Sequence, residues 1–271
     1  MPDLWRLLIT PPAPGAWNMA VDEAVLEHVE RGEVRPTLRL YAWEPPCLSL
    51  GYAQSWSDVD LDALQRENWQ VVRRPTGGRA ILHTDELTYA VIGPAGDPRL
   101  NGSVLESYLR LSQALVQALR LLGAPVTVHE EAPAARAQNP VCFEVPSAYE
   151  ITVAGRKLIG SAQARRREGV LQHGSLPLYG DLTRITRVLR FPDEAARREA
   201  AARLRARALT LEEALGRRPT WEEAAQAFIQ AFETVLDLRL VRAELTPSEL
   251  QRAEALIAEK HAHPSWLQRQ P

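Results

Sequence analysis

Residues 149–176, YEITVAGRKLIGSAQARRREGVLQHGSL, decide the fold class. Tyr149–Val153 and Lys157–Ala164 alternate apolar and polar residues around Ala154-Gly155, which predicts a β-hairpin. Val170–Leu176 follows as another strand. Strands that succeed one another through short turns pair antiparallel, because parallel neighbours need a crossover of a dozen or more residues.

Outward from this stretch the pattern is mixed. Upstream, strands are predicted at Leu4–Ile9, Thr37–Trp43, Cys47–Tyr52, Gln70–Arg73, Arg79–Leu82, Glu86–Ile92 and Val126–His129. Helical spacing occupies Ala16–His28, Asp58–Glu67 and Ser103–Leu122, the last closed by Gly123. Downstream the pattern is helical over about 182–190, 193–206, 210–216 and 221–236. A last strand at Leu238–Val241 precedes a helix with Thr246 as N-cap and Pro247 at its first position. This order predicts an α+β fold: a mixed, largely antiparallel sheet packed with helices, with C-terminal helices capping the same domain.

Composition narrows the function classes. Hydrophobic residues make up 45% and charged residues 24%, the balance of a globular chain. A net charge of −2 supplies no basic field for nucleic acid, and no apolar run reaches the roughly 18–20 residues of a membrane span. Two cysteines and no signal-peptide pattern predict a cytoplasmic protein with reduced thiols; a monomer is the default. No paired CxxC, HxxxH or HExxH spacing predicts a metal, and no Walker A or GxGxxG predicts a nucleotide.

Of 32 basic residues only Lys157 and Lys260 are lysine. A solvated positive charge in this chain is written as Arg, so a lysine beside Arg156 suggests a need for an ammonium that can trade its proton. Three segments then carry chemistry. In Arg73–His83 (RRPTGGRAILH), Gly77 and Gly78 allow close backbone approach to a ligand, Arg74 and Arg79 offer forked donors, and His83 stands beside them. In Cys142–Glu150, Cys142 follows an Ala/Pro-rich stretch and precedes a strand. As a nucleophile it needs a nearby positive charge, for which Lys157, across the hairpin, is the candidate, whereas Cys47 in an apolar strand reads as packing. In the third, Gly160, Ser161 and Gln163 lie on a strand with one polar and one small-residue face, and Gln172-His173-Gly174-Ser175 offers donors to a pocket.

Together RRPTGGRAILH and GRKLIGSAQARR resemble the R-R-x-[ST]-G-G-x-x-x-x-H and G-x-K-x-x-G-S-A-Q signatures of the biotin/lipoate protein ligase superfamily. The likeness runs from about Thr37 to Val241, implying a catalytic core over 35–245 and a C-terminal helix and tail over 246–271. Within the superfamily the chain is most similar to the cysteine-dependent octanoyltransferases of the LipM type. That resemblance implies Cys142 as the acyl-thioester residue and Lys157 as its activator. It implies Arg74, Gly77, Gly78, Arg79, His83, Gly160, Ser161, Gln163, His173 and Gly174 as substrate-binding residues. The donor would be octanoyl-acyl carrier protein, and the acceptor the lysine of a lipoyl domain such as the glycine-cleavage H protein. Neither ATP nor metal would be needed, since a thioester is already activated. Two alternatives stand beside this reading: an ATP-dependent lipoate-protein ligase, and a non-catalytic acyl- or lipoyl-domain-binding module.

Overall fold

The computed structural model describes residues 2–130 and 149–269. Its elements begin with β1 (Asp3–Ile9), α1 (Gly15–Glu30), β2 (Thr37–Tyr41), β3 (Cys47–Leu50), α2 (Leu61–Glu67) and β4 (Gln70–Arg73). They continue with β5 (Ile81–His83), β6 (Glu86–Pro94), α3 (Val104–Leu121), β7 (Thr127–Glu130), β8 (Tyr149–Val153) and β9 (Arg156–Lys157). The remainder are β10 (Gly160–Arg165), β11 (Gly169–Pro177), α4 (Glu194–Arg207), α5 (Leu211–Leu215), α6 (Trp221–Leu236), β12 (Leu238–Arg242), α7 (Pro247–Leu256) and α8 (Pro264–Leu267).

A six-stranded sheet runs β10-β11-β6-β2-β1-β12. Its pairs are antiparallel from β10 to β2 and parallel from β2 to β12, so the expected mixed α+β sheet is what forms. Period-two alternation divides its residues between two helical layers. Leu38, Leu40, Tyr89 and Val91 join the core beneath α3 and α6, where Phe228 and Phe232 are fully buried against Tyr89. Burying each such ring contributes about 1.5–3 kcal/mol. Tyr41, Ala90, Ile92 and Leu171 face the other way, onto α1 and α7. A smaller sheet, β4-β3-β5, and an antiparallel one, β7-β8-β9, flank the large sheet.

Local chemistry explains the helix ends. Ser103 and Glu106 form a capping box on α3, as Thr220 and Glu223 do on α6 and Thr246 and Glu249 on α7, where Pro247 opens the helix as predicted. Glu249 also pairs with Arg6 at 2.6 Å in a buried bridge that ties α7 to β1. Cys47 is fully buried, as its apolar strand implied, and burial pushes its thiol pKa up.

Three expectations are corrected. The Ala154-Gly155 turn forms with φ of 49° and 75°, but its second strand ends at Lys157. Leu158 and Ile159 then sink into the core, at 0% and 2% exposure, and carry the chain into a different sheet, so Gly160–Ala164 pairs with β11 instead of β8. Residues 182–190 are not an α-helix: a 3₁₀ turn, Leu182–Arg187, starts from Asp181, whose carboxylate accepts from Thr183 N. The strand read at Arg79–Leu82 begins at Ile81, because the preceding residues are held in a turn described below.

Candidate active site

A small cavity lies between α1 and the large sheet, with β3, β5 and the turn after β4 closing it. Ser49, Arg74 and His83 line one side, and Gly160, His173 and Gly174 another. Strand alternation makes room for it. On β10, Ser161 and Gln163 turn toward α3: Ser161 Oγ meets Tyr89 OH at 2.7 Å, and Gln163 Nε2 donates to Ser107 Oγ at 3.1 Å and Gln172 Oε1 at 3.0 Å. The small residues Gly160 and Ala162 take the other face and line the cavity, whose wall Ser161 also borders. Gly174 is forced, since a Cβ there would lie 2.7 Å from Gly160 O and 2.6 Å from the Tyr89 ring.

Arg74 builds the glycine turn from within. The guanidinium donates to Gly77 O at 2.8 Å, Arg79 O at 2.7 Å and Ser49 O at 3.0 Å. The expectation of a forked donor standing beside the turn therefore gives way to one gathered inside it, while Arg74 still lines the cavity. Gly77 and Gly78 are exposed, Gly78 with φ 89°. Arg79 is half-buried and contributes its carbonyl. Gly51 packs so closely that a Cβ would lie 1.9 Å from Gly78 O. Backbone cannot yield as a side-chain tip can, so Gly51→Ala is expected to destabilise the protein by about 3 kcal/mol or more, read from its denaturant midpoint.

Two imidazoles each bridge a hydroxyl to a buried carboxylate. His173 Nδ1 lies 3.2 Å from Asp22 Oδ2, and its Nε2 lies 2.6 Å from Thr76 Oγ1. Burial pushes Asp22 up, but the Arg39 charge at 2.7 Å and the His173 bond outweigh it and hold the carboxyl below its ordinary range. Burial lowers His173, the Asp22 bond and charge oppose it, and the net direction is down. A carboxylate only accepts, so Nδ1 carries the proton, and neutral His173 accepts from Thr76 at Nε2. The second bridge is similar: His83 Nδ1 meets Glu86 Oε1 at 2.5 Å, Nε2 meets Ser49 Oγ at 2.7 Å, and Trp43 stacks on the ring at 3.9 Å. Thr88 and Ser175 donate the remaining bonds to Glu86.

Lys157 is 6% exposed. Its backbone is held on both sides: it registers with Thr152 on β8, and its carbonyl accepts from Leu209 N at 3.1 Å. It therefore sits three residues before the cavity wall begins at Gly160, on a rigid segment. Cys142 lies outside the described residues. The structure thus brings Arg74, His83, Gly160, Ser161, His173 and Gly174 to one cavity and leaves Gln163 behind the sheet. Asp22, Ser49 and Glu86 escaped the sequence reading. Asp22 had one visible signal, a charge within the apolar run of α1. Among the described residues, no group of three or more His, Cys, Asp or Glu could hold a metal, and no helix is long and apolar enough to cross a membrane.

Known proteins match this chain over most of its length. The family described as lipoyl protein ligase A/B catalytic domain matches residues 14–233. Octanoyltransferase LipM of Symbiobacterium thermophilum is 43% identical, covering 98% of both chains. Octanoyltransferase LipM of Kyrpidia tusciae is 44% identical, covering 97% of both. A bi-partite lipoate protein ligase from Thermoplasma acidophilum superposes with a TM-score of 0.83 at 25% identity over 98% of this chain and 96% of its own. Lipoate-protein ligase A bound with ATP shares the fold, with a TM-score of 0.79 at 23% identity over 99% of each chain.

Proposed function

This chain belongs to the lipoyl protein ligase A/B catalytic family and is an octanoyltransferase of the LipM type, and from that premise we propose that it works through an acyl-cysteine at Cys142 activated by Lys157. The donor in this proposal is octanoyl-acyl carrier protein. The acceptor is the target lysine of a lipoyl domain, the glycine-cleavage H protein first among them. The enzyme acts as a monomer in the cytoplasm.

The observation that carries the reading is the placement of Lys157: buried, anchored through its own backbone, and directly ahead of the small-residue strand that walls the cavity. In such a position an ammonium interacts with a thiolate more strongly than it would in water. The Cys142 thiolate attacks the thioester carbonyl, the carbon–sulfur bond to the carrier breaks, and the carrier departs as a thiol with a proton from the Lys157 ammonium, which becomes neutral. The neutral acceptor amine then attacks the acyl-cysteine. An amide forms, the Cys142 thiolate is released, and neutral Lys157 accepts the amine's proton, which restores the starting ammonium–thiolate pair. The cavity between α1 and β10 receives the acyl chain, with Gly160 and Gly174 giving clearance. Substrate contacts are assigned to Arg74, Gly77, Gly78, Arg79, His83, Gly160, Ser161, His173 and Gly174. Each methylene buried there contributes about 0.8 kcal/mol, so two carbons change affinity by roughly tenfold.

Intact-mass measurement tests the scheme. Mixed with octanoyl-carrier and no ATP, the protein is expected to gain one hydroxylamine-labile octanoyl group, absent in Cys142→Ala. An ATP-dependent ligase would show no adduct, and a binding module would neither load nor transfer. Transfer by Cys142→Ala at the wild-type rate would sink the mechanism.

A further inference from the structure

The segment after α7 is fastened at two points, and both belong to the scaffold of the cavity. At the first, Lys260 Nζ donates to both oxygens of Glu23 at 2.7 and 2.8 Å, and His261 Nε2 meets the same carboxylate at 2.9 Å. Arg166 reaches it as well. Glu23 is 3% exposed and adjoins Asp22 on α1. Burial pushes its carboxyl up, yet the bonds from His261 and Lys260 hold it at about 2.

At the second point, the fully buried Arg73 at the end of β4 donates through Nε to Trp266 O at 3.0 Å and through Nη2 to Leu267 O at 2.8 Å. Trp266 Nε1 returns a bond to Arg73 O at 2.9 Å. The third nitrogen, Nη1, donates to Gly51 O at 2.9 Å and Gln54 O at 2.6 Å. One guanidinium thus joins the C-terminal segment to the loop that packs under Gly78.

These two points flank His173. Its partners are Asp22, next to Glu23, and Thr76, three residues beyond Arg73. Yet α8 buries no residue fully, and Ile257 at the start of the segment supplies its packing against the apolar core. Its other interactions are polar, directional and concentrated where α1 and β4 are gripped. We infer that residues 257–269 form a clasp between α1 and β4 that sets the spacing of Asp22 and Thr76 about His173, with Arg73, Lys260 and Trp266 as positioning residues for the cavity.

The test uses two proteins: a chain ending after Ala262, which keeps the Glu23 contacts, and full-length Trp266→Phe, which keeps an aromatic side chain but loses the bond to Arg73 O. Nitrogen-15 chemical shifts of His173 and kcat/KM for octanoyl transfer are read for both, alongside cooperative melting. In the shortened chain the shifts are expected to leave the single Nδ1–H form, and kcat/KM to fall about tenfold or more, since small misplacements of a site are costly. Trp266→Phe shifts the same signals less. A folded shortened chain with wild-type His173 signals overturns the inference. If the shortened chain does not fold, unchanged His173 signals in Trp266→Phe overturn it instead. The imidazole signals need no acyl substrate, so they report on the clasp even if the proposed Cys142 chemistry fails.

Discussion

Lys157→Arg is expected to fold normally and to lose octanoyl transfer by about a hundredfold or more, the range that proton-transfer catalysis supplies. The substitution keeps the positive charge and removes the exchangeable proton, because a guanidinium stays protonated in proteins. It also places a wider, forked head in a site that is 6% exposed. Steady-state transfer and acyl loading should separate the two roles. If only charge is needed, Cys142 still acquires octanoate and transfer stays near normal. If the amine also exchanges a proton, both steps slow, and transfer to the acceptor slows more. Near-wild-type transfer by Lys157→Arg would remove the proton-exchange role. The composition makes the comparison pointed: thirty of the 32 basic residues are arginine, and the other lysine, Lys260, is committed to Glu23.

Asp22→Asn is expected to be the most damaging change of similar size in the scaffold. Asp22 is fully buried and receives Arg39 at 2.7 Å, Tyr41 OH at 2.9 Å and His173 at 3.2 Å. An amide presents one acceptor oxygen where three donors converge, and it leaves the buried Arg39 charge without its counter-ion. Breaking a buried pair from one side costs about 3–5 kcal/mol, which for a chain of this size lowers the melting temperature by roughly 10 °C. The pH dependence has a definite sign. The folded carboxyl titrates below its ordinary value of 3.8, so its contribution is fully present above that value and is lost as pH falls through the folded value. Asp22→Asn should therefore flatten the acid limb of the stability curve. An unchanged acid limb would show that Asp22 is not the group responsible.

Much of the fold was legible because it is local. The Ala154-Gly155 turn, the Thr246-Pro247 start of α7 and the span of α6 follow from turn chemistry, capping and 3.6-residue spacing. The sheet switch after Lys157 was not: the adjacent apolar pair Leu158-Ile159 interrupts the alternation, but only a core able to accept both residues reveals that the chain changes partners there. His83 and His173 were visible as candidates within their motifs. Their distant partners were not: Asp22 is 151 residues from His173, and Ser49 is 34 from His83.

By itself the sequence determined which residue types the chemistry has to work with: one lysine among arginines beside a glycine-rich strand, a paired-glycine turn, and a cysteine ahead of the hairpin. Tertiary structure alone decided what each arginine and histidine does. Arg73 and Arg74 are neighbours in one motif, yet one grips the C-terminal segment and the other folds the glycine turn. The physical reason is that a buried charge or imidazole is defined by the acceptors around it. Several of those acceptors, Asp22 for His173 and the carbonyls of Trp266 and Leu267 for Arg73, come from distant parts of the chain and meet their donors only when the sheets and helices have packed.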